Sequence, residues 1–95
     1  LKTTNNITIR SLSGFNVFPN PVKNKLFIEP KNANKDIYTT TLSSIIGKKI
    51  FHKTNCKGNM IINMSDLHKG IYILTLEIKN HDQIITQKII KTNEI

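Results

Sequence analysis

The stretch that decides the fold is Phe15–Pro21 (FNVFPNP), which is followed much later in the chain by Leu67–Tyr72 (LHKGIY). Phe18 and Asn20 each precede a proline, and a residue in that position is pushed away from the helical region into an extended conformation. Each proline also lacks the donor that a sheet ladder needs, so the stretch suits an edge strand or a strand end. Asn20 and Pro21 then occupy the first two places of a predicted type I turn.

Beyond Phe15 the sequence predicts a series of strands separated by turns. Apolar and β-branched residues alternate with polar ones, which is the period-2 pattern of a half-buried strand. Clusters of proline, glycine and asparagine interrupt this pattern at intervals of roughly 8–12 residues, as in a sandwich of two sheets. The predicted fold class is all-β: a single Ig-like antiparallel β-sandwich of about seven strands. The inward-facing sets are predicted to include Leu26 and Ile28, then Tyr38, Thr40 and Leu42, then Tyr72, Leu74, Leu76 and Ile78.

Residues 65–69 are the one stretch that predicts a helical turn. Ser65 is a residue type that caps helix N-termini, and Gly70 suits the left-handed conformation in which many helices end. We therefore expect a positive φ at Gly70, directly before the strand that carries Tyr72.

The length of 95 residues predicts one domain with one modest core. Residues 1–13 are polar and patternless apart from Ile7–Ile9, and they predict a linker or tail with at most one short edge strand. The domain is placed at residues 14–92, and residues 93–95 are predicted to be a short tail. There is no initiator methionine and no basic-then-apolar leader, so we expect the sequence to be part of a longer polypeptide.

The charge of the chain is strongly positive but dispersed. The formal net charge is +8, and thirteen of the 14 basic residues are lysines spread along the sequence. A nucleic-acid-binding domain more often concentrates its charge, uses arginine for bidentate contacts and interleaves aromatic residues for stacking. The sequence therefore favours a solvated lysine-rich surface and no nucleic-acid partner. Attraction to an acidic partner or to an anionic cell-surface polysaccharide is the second interpretation.

The residues that could hold a metal are few. His52 and Cys56 are four residues apart, as two residues on one helix face would be, but Lys53–Asn55 and Gly58 predict a loop there. No second pair of histidines or cysteines completes a tetrahedral zinc site. We predict no metal and no cofactor, and Cys56, as the single cysteine, cannot form an internal disulfide.

Residue types used in catalysis occur without the spacing of a catalytic site. Ser65, Asp66 and His68 contain the types of a hydrolase triad, but within one turn their side chains point apart. His68 and His81 are predicted to be surface residues in turns. The four glycines stand too far apart to form a phosphate-binding loop. We therefore predict that the domain is not an enzyme.

Taken together and in order, the motifs resemble a known family, the type A C-terminal sorting domain of the bacterial type IX secretion system (Por secretion system). The family pattern has an aromatic or aliphatic residue before Pro-Asn-Pro, a strand, a strand that ends in a glycine turn, an Ile-Asp-Leu-Ser-like segment, Leu-x-x-Gly-x-Tyr and a final lysine-bearing strand. Two positions depart from it, since Met64 stands where leucine is usual and Ser44 where aspartate is usual. The corresponding blocks are Val17–Pro21, Leu26–Ile28, Thr40–Gly47, Ile62–Ser65, Leu67 with Gly70 and Tyr72, and Lys88–Lys91.

The resemblance implies a function in protein export. In this family the domain follows an N-terminal cargo domain of the same polypeptide, and the cargo first crosses the inner membrane by the general export route. The type IX translocon then recognises the folded domain, and sortase-like processing machinery often cleaves it and can join the cargo to anionic lipopolysaccharide. The implied location is the cell surface or the medium, reached via the periplasm and outer membrane, in a Gram-negative bacterium of the Bacteroidota type.

The resemblance also implies which residues the translocon recognises. From the sequence alone, Tyr72 and Phe18 favour a place in the core, and Leu67 is expected to plug the end of the sandwich. Because side chains alternate along a strand, at least one lysine of the final strand should face solvent, and replacing both by glutamine should leave the stability near wild type. The predicted recognition residues are Pro19, Asn20, Pro21, Leu67, Gly70, Tyr72, Lys88 and Lys91.

A different class of function stays open beside this one. The chain could be an Ig-like adhesion or carbohydrate-binding module of a secreted protein. Such a module would present a row of exposed aromatic side chains for sugar stacking. Two tyrosines and four phenylalanines, mostly on predicted strands or beside Pro-Asn-Pro, offer little of that feature.

Overall fold

A computed structural model of the chain describes residues 14–31, 36–79 and 83–93. Within these ranges the protein forms seven strands in two antiparallel sheets, which confirms the predicted all-β sandwich. We call the sheet with strand order β1-β2-β5 sheet A, and the sheet with order β4-β3-β6-β7 sheet B. The strands are β1 (Phe15–Phe18), β2 (Lys25–Pro30), β3 (Ile37–Ser44), β4 (Lys49–Lys57), β5 (Met60–Asn63), β6 (Gly70–Ile78) and β7 (Gln83–Lys91).

Some sequence-based predictions fall on other parts of the chain. The linker at residues 1–13, the strand at Ile7–Ile9 and the loop position of His81 lie outside the described residues, as does most of the tail at 93–95. No helix long and apolar enough to cross a membrane occurs in the described ranges.

The core lies between the two sheets, and alternation along the strands selects the residues that fill it. All the inward-facing sets predicted for β2, β3 and β6 are buried. The two sheets meet where the Phe15 ring of sheet A packs edge-to-face on the Tyr38 ring of sheet B, with centroids 5.0 Å apart and planes at 78°. Burial on this scale supplies the main stabilisation of so small a domain.

β4 runs through the stretch that was predicted to be a loop. Its register with β3 slips, because Tyr38 pairs with Cys56 while Thr40 pairs with Lys53, so β4 contains an extra residue there. Asn55 lies in this bulge with a φ of 53°, which asparagine tolerates better than most residues. The bulge reverses the alternation: His52 is exposed and Cys56 is buried, so these two side chains do not share a face.

The predicted helical turn at residues 65–69 is wrong. The chain forms a tight turn in which the Leu67 amide donates to the Met64 carbonyl at 3.0 Å. The Asn63 side chain, rather than Ser65, organises it, since Asn63 Oδ1 accepts from the Ser65 amide at 3.0 Å and from the Ser65 hydroxyl at 2.7 Å. Gly70 has the predicted positive φ, but at 150° it begins strand β6 instead of ending a helix.

Candidate recognition surface

Asn20 joins the Pro-Asn-Pro stretch to the last strand. Its amide nitrogen donates to the Lys88 carbonyl at 2.8 Å, and its amide oxygen accepts from the Ile90 amide at 2.9 Å. The side chain therefore pairs with the outer edge of β7 as a neighbouring strand would. An edge strand otherwise presents such groups unpaired, so Asn20 protects this edge.

Val22 continues the same pairing with its backbone. Its amide donates to the Ile90 carbonyl at 2.7 Å, and its carbonyl accepts from the Thr92 amide at 2.9 Å. These bonds form a parallel bridge between Val22 and Lys91, which replaces the type I turn predicted after Asn20. We call this set of contacts, made by Asn20 and Val22 to β7, the edge clamp. Val22 was not predictable from the sequence, because a β-branched residue after Pro-Asn-Pro gives no indication of the strand with which it pairs.

The two lysines of the final strand face opposite ways. Lys88 is exposed, whereas only 5% of the Lys91 side chain is exposed, on the inner face that also carries Ile89. Lys91 Nζ donates to the Thr92 carbonyl at 3.0 Å, so the amine keeps a partner while its stem is packed. We therefore still expect that Lys88 can be replaced without a change in stability, but we no longer expect this of Lys91.

The residues of the Leu67–Tyr72 segment mainly stabilise the fold. Leu67 is half-buried and packs against the core, as expected for a residue that closes the end of the sandwich. Tyr72 is buried and its hydroxyl donates to the His68 carbonyl at 2.7 Å, which ties the turn to the start of β6. Gly70 is exposed and pairs with Lys91 across the β6–β7 ladder.

Three of the blocks identified in the sequence therefore meet at one place. Lys91 pairs with Gly70 on one side and, on the other, with Val22, which directly follows the Pro-Asn-Pro stretch. The Pro-Asn-Pro stretch, the Leu67–Tyr72 segment and the final strand are thus neighbours at this end of sheet B. Segments 19–25 and 83–93 carry four lysines and no carboxylate, which makes the region cationic. Of the predicted recognition residues, Pro19, Asn20, Pro21, Gly70 and Lys88 are exposed, Leu67 is half-buried, and Tyr72 and Lys91 are buried.

The chemistry available to this surface is packing, hydrogen bonding and charge attraction. Among the described residues no group of three histidine, cysteine, aspartate or glutamate side chains could hold a metal ion. Away from this surface, among the described residues, burial and then the nearby Cys56 raise the pKa of Tyr38 to about 12. The Tyr38 hydroxyl donates to the Gly58 carbonyl at 2.5 Å, beside the β4–β5 turn.

The motifs that meet at Lys91 fall within a match to a known family. The family model for the secretion system C-terminal sorting domain matches residues 16–92, which include the whole edge clamp and the Leu67–Tyr72 segment. The chain belongs to this family. The resemblance predicted from the motifs is thereby confirmed, and the family is that of the type IX secretion system. No curated protein shows a significant match to the chain.

Membership fixes the general role of the domain. A sorting domain of this family is a C-terminal signal for type IX secretion, and the family is not a catalytic one. Such a domain implies a larger cargo polypeptide, an interaction with the type IX machinery and export to the cell surface or the medium.

Proposed function

We propose that this sorting domain directs its cargo through the type IX translocon by presenting a folded surface, and that the edge clamp holds this surface together. The cargo is an N-terminal domain of the same polypeptide that reaches the periplasm first and then crosses the outer membrane. Sortase-like machinery processes the domain afterwards, and the cargo is released or joined to anionic lipopolysaccharide.

The observation that supports this proposal is the meeting of three sequence-distant blocks at Lys91. Val22 lies next to Lys91 on one side and Gly70 on the other. A linear peptide signal would not need such blocks to be neighbours. A partner that binds this end of sheet B contacts all three blocks only when the sandwich is folded.

The predicted recognition residues divide into two roles on this basis. Pro19, Pro21 and Lys88 are exposed and available to a partner. Tyr72, Leu67 and Lys91 act through the fold, because they are buried or half-buried and hold the turn and the strand end in place. Asn20 and Gly70 are exposed but also act through the fold, because Asn20 is held by its hydrogen bonds to β7 and Gly70 has a φ of 150°, which other residues rarely adopt.

The experiment is a fusion of residues 1–95 to the C-terminus of a fluorescent protein that is exported to the periplasm, expressed in a host with a type IX system. We expect fluorescence in the medium or on the cell surface. A known sorting domain fused to the same reporter is the positive control. If that control is exported while this fusion stays in the periplasm, the proposed function is wrong.

The adhesion or carbohydrate-binding alternative has less support. Of the six aromatic side chains, Phe15, Tyr38 and Tyr72 are buried and Phe51 packs against the core. The remaining two, Phe18 and Phe27, stack on each other with centroids 5.5 Å apart and planes at 12°. Each ring therefore already covers one face of the other, and the extended aromatic platform that sugar stacking uses is not formed.

A further inference from the structure

The outer face of sheet A carries an apolar row that the core does not use. Phe18 of β1 pairs with Phe27 of β2, and Phe27 pairs with Ile61 of β5, so one cross-strand row spans all three strands. These residues alternate with the buried Val17, Ile28 and Ile62, which places the row on the side away from the core. Ile61 is 53% exposed and both phenylalanines are partly exposed, so the core position predicted for Phe18 is wrong.

An open depression of about 540 Å³ adjoins this row. Its apolar lining is Phe27 together with Pro19 and Pro21, the two prolines of the first motif. The position of both prolines is set by the edge clamp, because Asn20 between them is bonded to β7. The depression is lined by Pro19, Pro21, Lys23, Asn24, Lys25 and Phe27.

The charge around the depression has one sign. Lys23 and Lys25 are both exposed and both line it, and none of its lining residues is acidic. The acidic residue of β2, Glu29, pairs with Asn16 at the other end of the strand from Lys25. An apolar surface bordered by lysines is complementary to an apolar side chain flanked by carboxylates.

We propose that this depression, with Ile61 at the end of the adjoining row, receives a segment of the secretion machinery that carries an apolar side chain flanked by carboxylates. This inference rests on the proposed function and gives its partner a chemical class. A second copy of the chain fits less well, because the net charge is +8 and a symmetric contact would bring Lys23 and Lys25 towards their own counterparts. The edge clamp then has a second effect, since it fixes Pro19 and Pro21 in the wall of the site.

Charge reversal with a matched control tests the electrostatic part. The variant Lys23→Glu/Lys25→Glu places two negative charges in the depression. The control Lys49→Glu/Lys53→Glu makes the same change in net charge on β4, at exposed positions of the other sheet. Export of the fluorescent fusion should fall at least about fivefold for the first variant relative to the control, as for loss of an interface contact.

A second pair of variants tests the apolar part. Ile61→Ser removes the exposed side chain at the end of the row, and Ile84→Ser removes one that is 64% exposed on the outer face of sheet B. Both sites are solvent-facing strand positions, so both variants should fold, which thermal unfolding of the purified domains verifies. We expect export to fall for Ile61→Ser and to stay near wild type for Ile84→Ser.

The outcomes separate this inference from the proposed function. If Lys23→Glu/Lys25→Glu and Ile61→Ser were both exported at the level of their controls, the inference would be wrong. Export of the unmodified fusion would still support the sorting function. The inference would also be wrong if export fell equally in these two variants and in their controls, because a change in net charge or in the polarity of the surface anywhere on the domain would then be the cause. Failure of the unmodified fusion to leave the periplasm would refute the sorting function itself. Self-association of the purified domain that Ile61→Ser abolishes would assign the face to a contact between copies and overturn the inference.

Discussion

Removal of the Asn20 side chain should open the edge clamp. Asn20→Ala deletes two hydrogen bonds to β7, of 2.8 and 2.9 Å. A hydrogen bond contributes about 0.5–1.5 kcal/mol net, and because Asn20 is exposed, water replaces part of what is lost. We therefore expect a loss of about 1–1.5 kcal/mol in the free energy of unfolding. For a domain of this size each kcal/mol lowers the thermal midpoint by about 4–8 °C.

Amide hydrogen exchange locates the effect within β7. The amides of Ile90 and Thr92 bond to Asn20 and Val22, whereas by alternation those of Ile89 and Lys91 face β6. Asn20→Ala should speed exchange at Ile90 and Thr92 and leave the β6-facing amides protected. The matched control is Asn59→Ala, in the exposed turn between β4 and β5. If Asn20→Ala and this control have the same midpoint and the same protection at Ile90 and Thr92, the clamp does not exist in solution.

Asn20→Asp distinguishes the donor from the acceptor. The new carboxylate can still accept from the Ile90 amide, but it has no proton to donate to the Lys88 carbonyl. At neutral pH the ionised side chain therefore faces the Lys88 carbonyl with no proton between the two oxygens. Asn20→Asp should be less stable than the wild type by about 0.5–1.5 kcal/mol, the net contribution of one hydrogen bond. Wild-type stability of Asn20→Asp in urea unfolding at pH 7 would show that the bond to Lys88 contributes nothing.

Three further predictions concern single positions. Lys88→Gln should change the free energy of unfolding by no more than about 0.5 kcal/mol, because Lys88 is exposed. Lys91→Ala should lower it by more than about 1 kcal/mol, because the stem of Lys91 is buried. Equal free energies of unfolding for the two variants in urea would contradict this assignment. Gly70→Val should cost at least about 1 kcal/mol, because a β-branched residue is strained at a φ of 150° where glycine is not, and an unchanged thermal midpoint would refute this backbone conformation. Since burial raises the pKa of Tyr38 to about 12, its neutral hydroxyl stabilises the fold fully below the unfolded value near 10, and this contribution is lost as pH rises through 12. Tyr38→Phe should lack that component of the alkaline decline in stability, and identical declines in the two proteins would count against it.

Periodicity along single strands was enough to predict much of the fold. Tyr72, Leu74, Leu76 and Ile78 alternate over the length of β6 and are all buried, because a long regular strand between two neighbours keeps its register. β4 shows the limit of that approach. A bulge is defined by the pairing with a second strand, so the reversal of His52 and Cys56 about Asn55 has no local pattern that could predict it.

The candidate site was predictable as a set of motifs but not as an arrangement. Asn20 and Ile90 are separated by 70 positions, and nothing in either segment alone specifies a side-chain amide bonded to a strand edge. Alternation established that Lys88 and Lys91 face opposite sides of β7, but which one is buried depends on Ile89 packing into the core. The apolar row that contains Phe27 and Ile61 was not predictable from the sequence, because its members on the outer face of sheet A come from separate strands.

The dependence of export on the translocon is the most direct test that this domain is a sorting signal. The fluorescent fusion of residues 1–95 is expressed in a type IX host and in the same host without a functional outer-membrane translocon, and the reporter is quantified in the medium, on the surface and in the periplasm. We expect the reporter to leave the periplasm in the first strain and to accumulate there in the second. Equal distribution in the two strains would contradict the conclusion that this domain is the sorting signal.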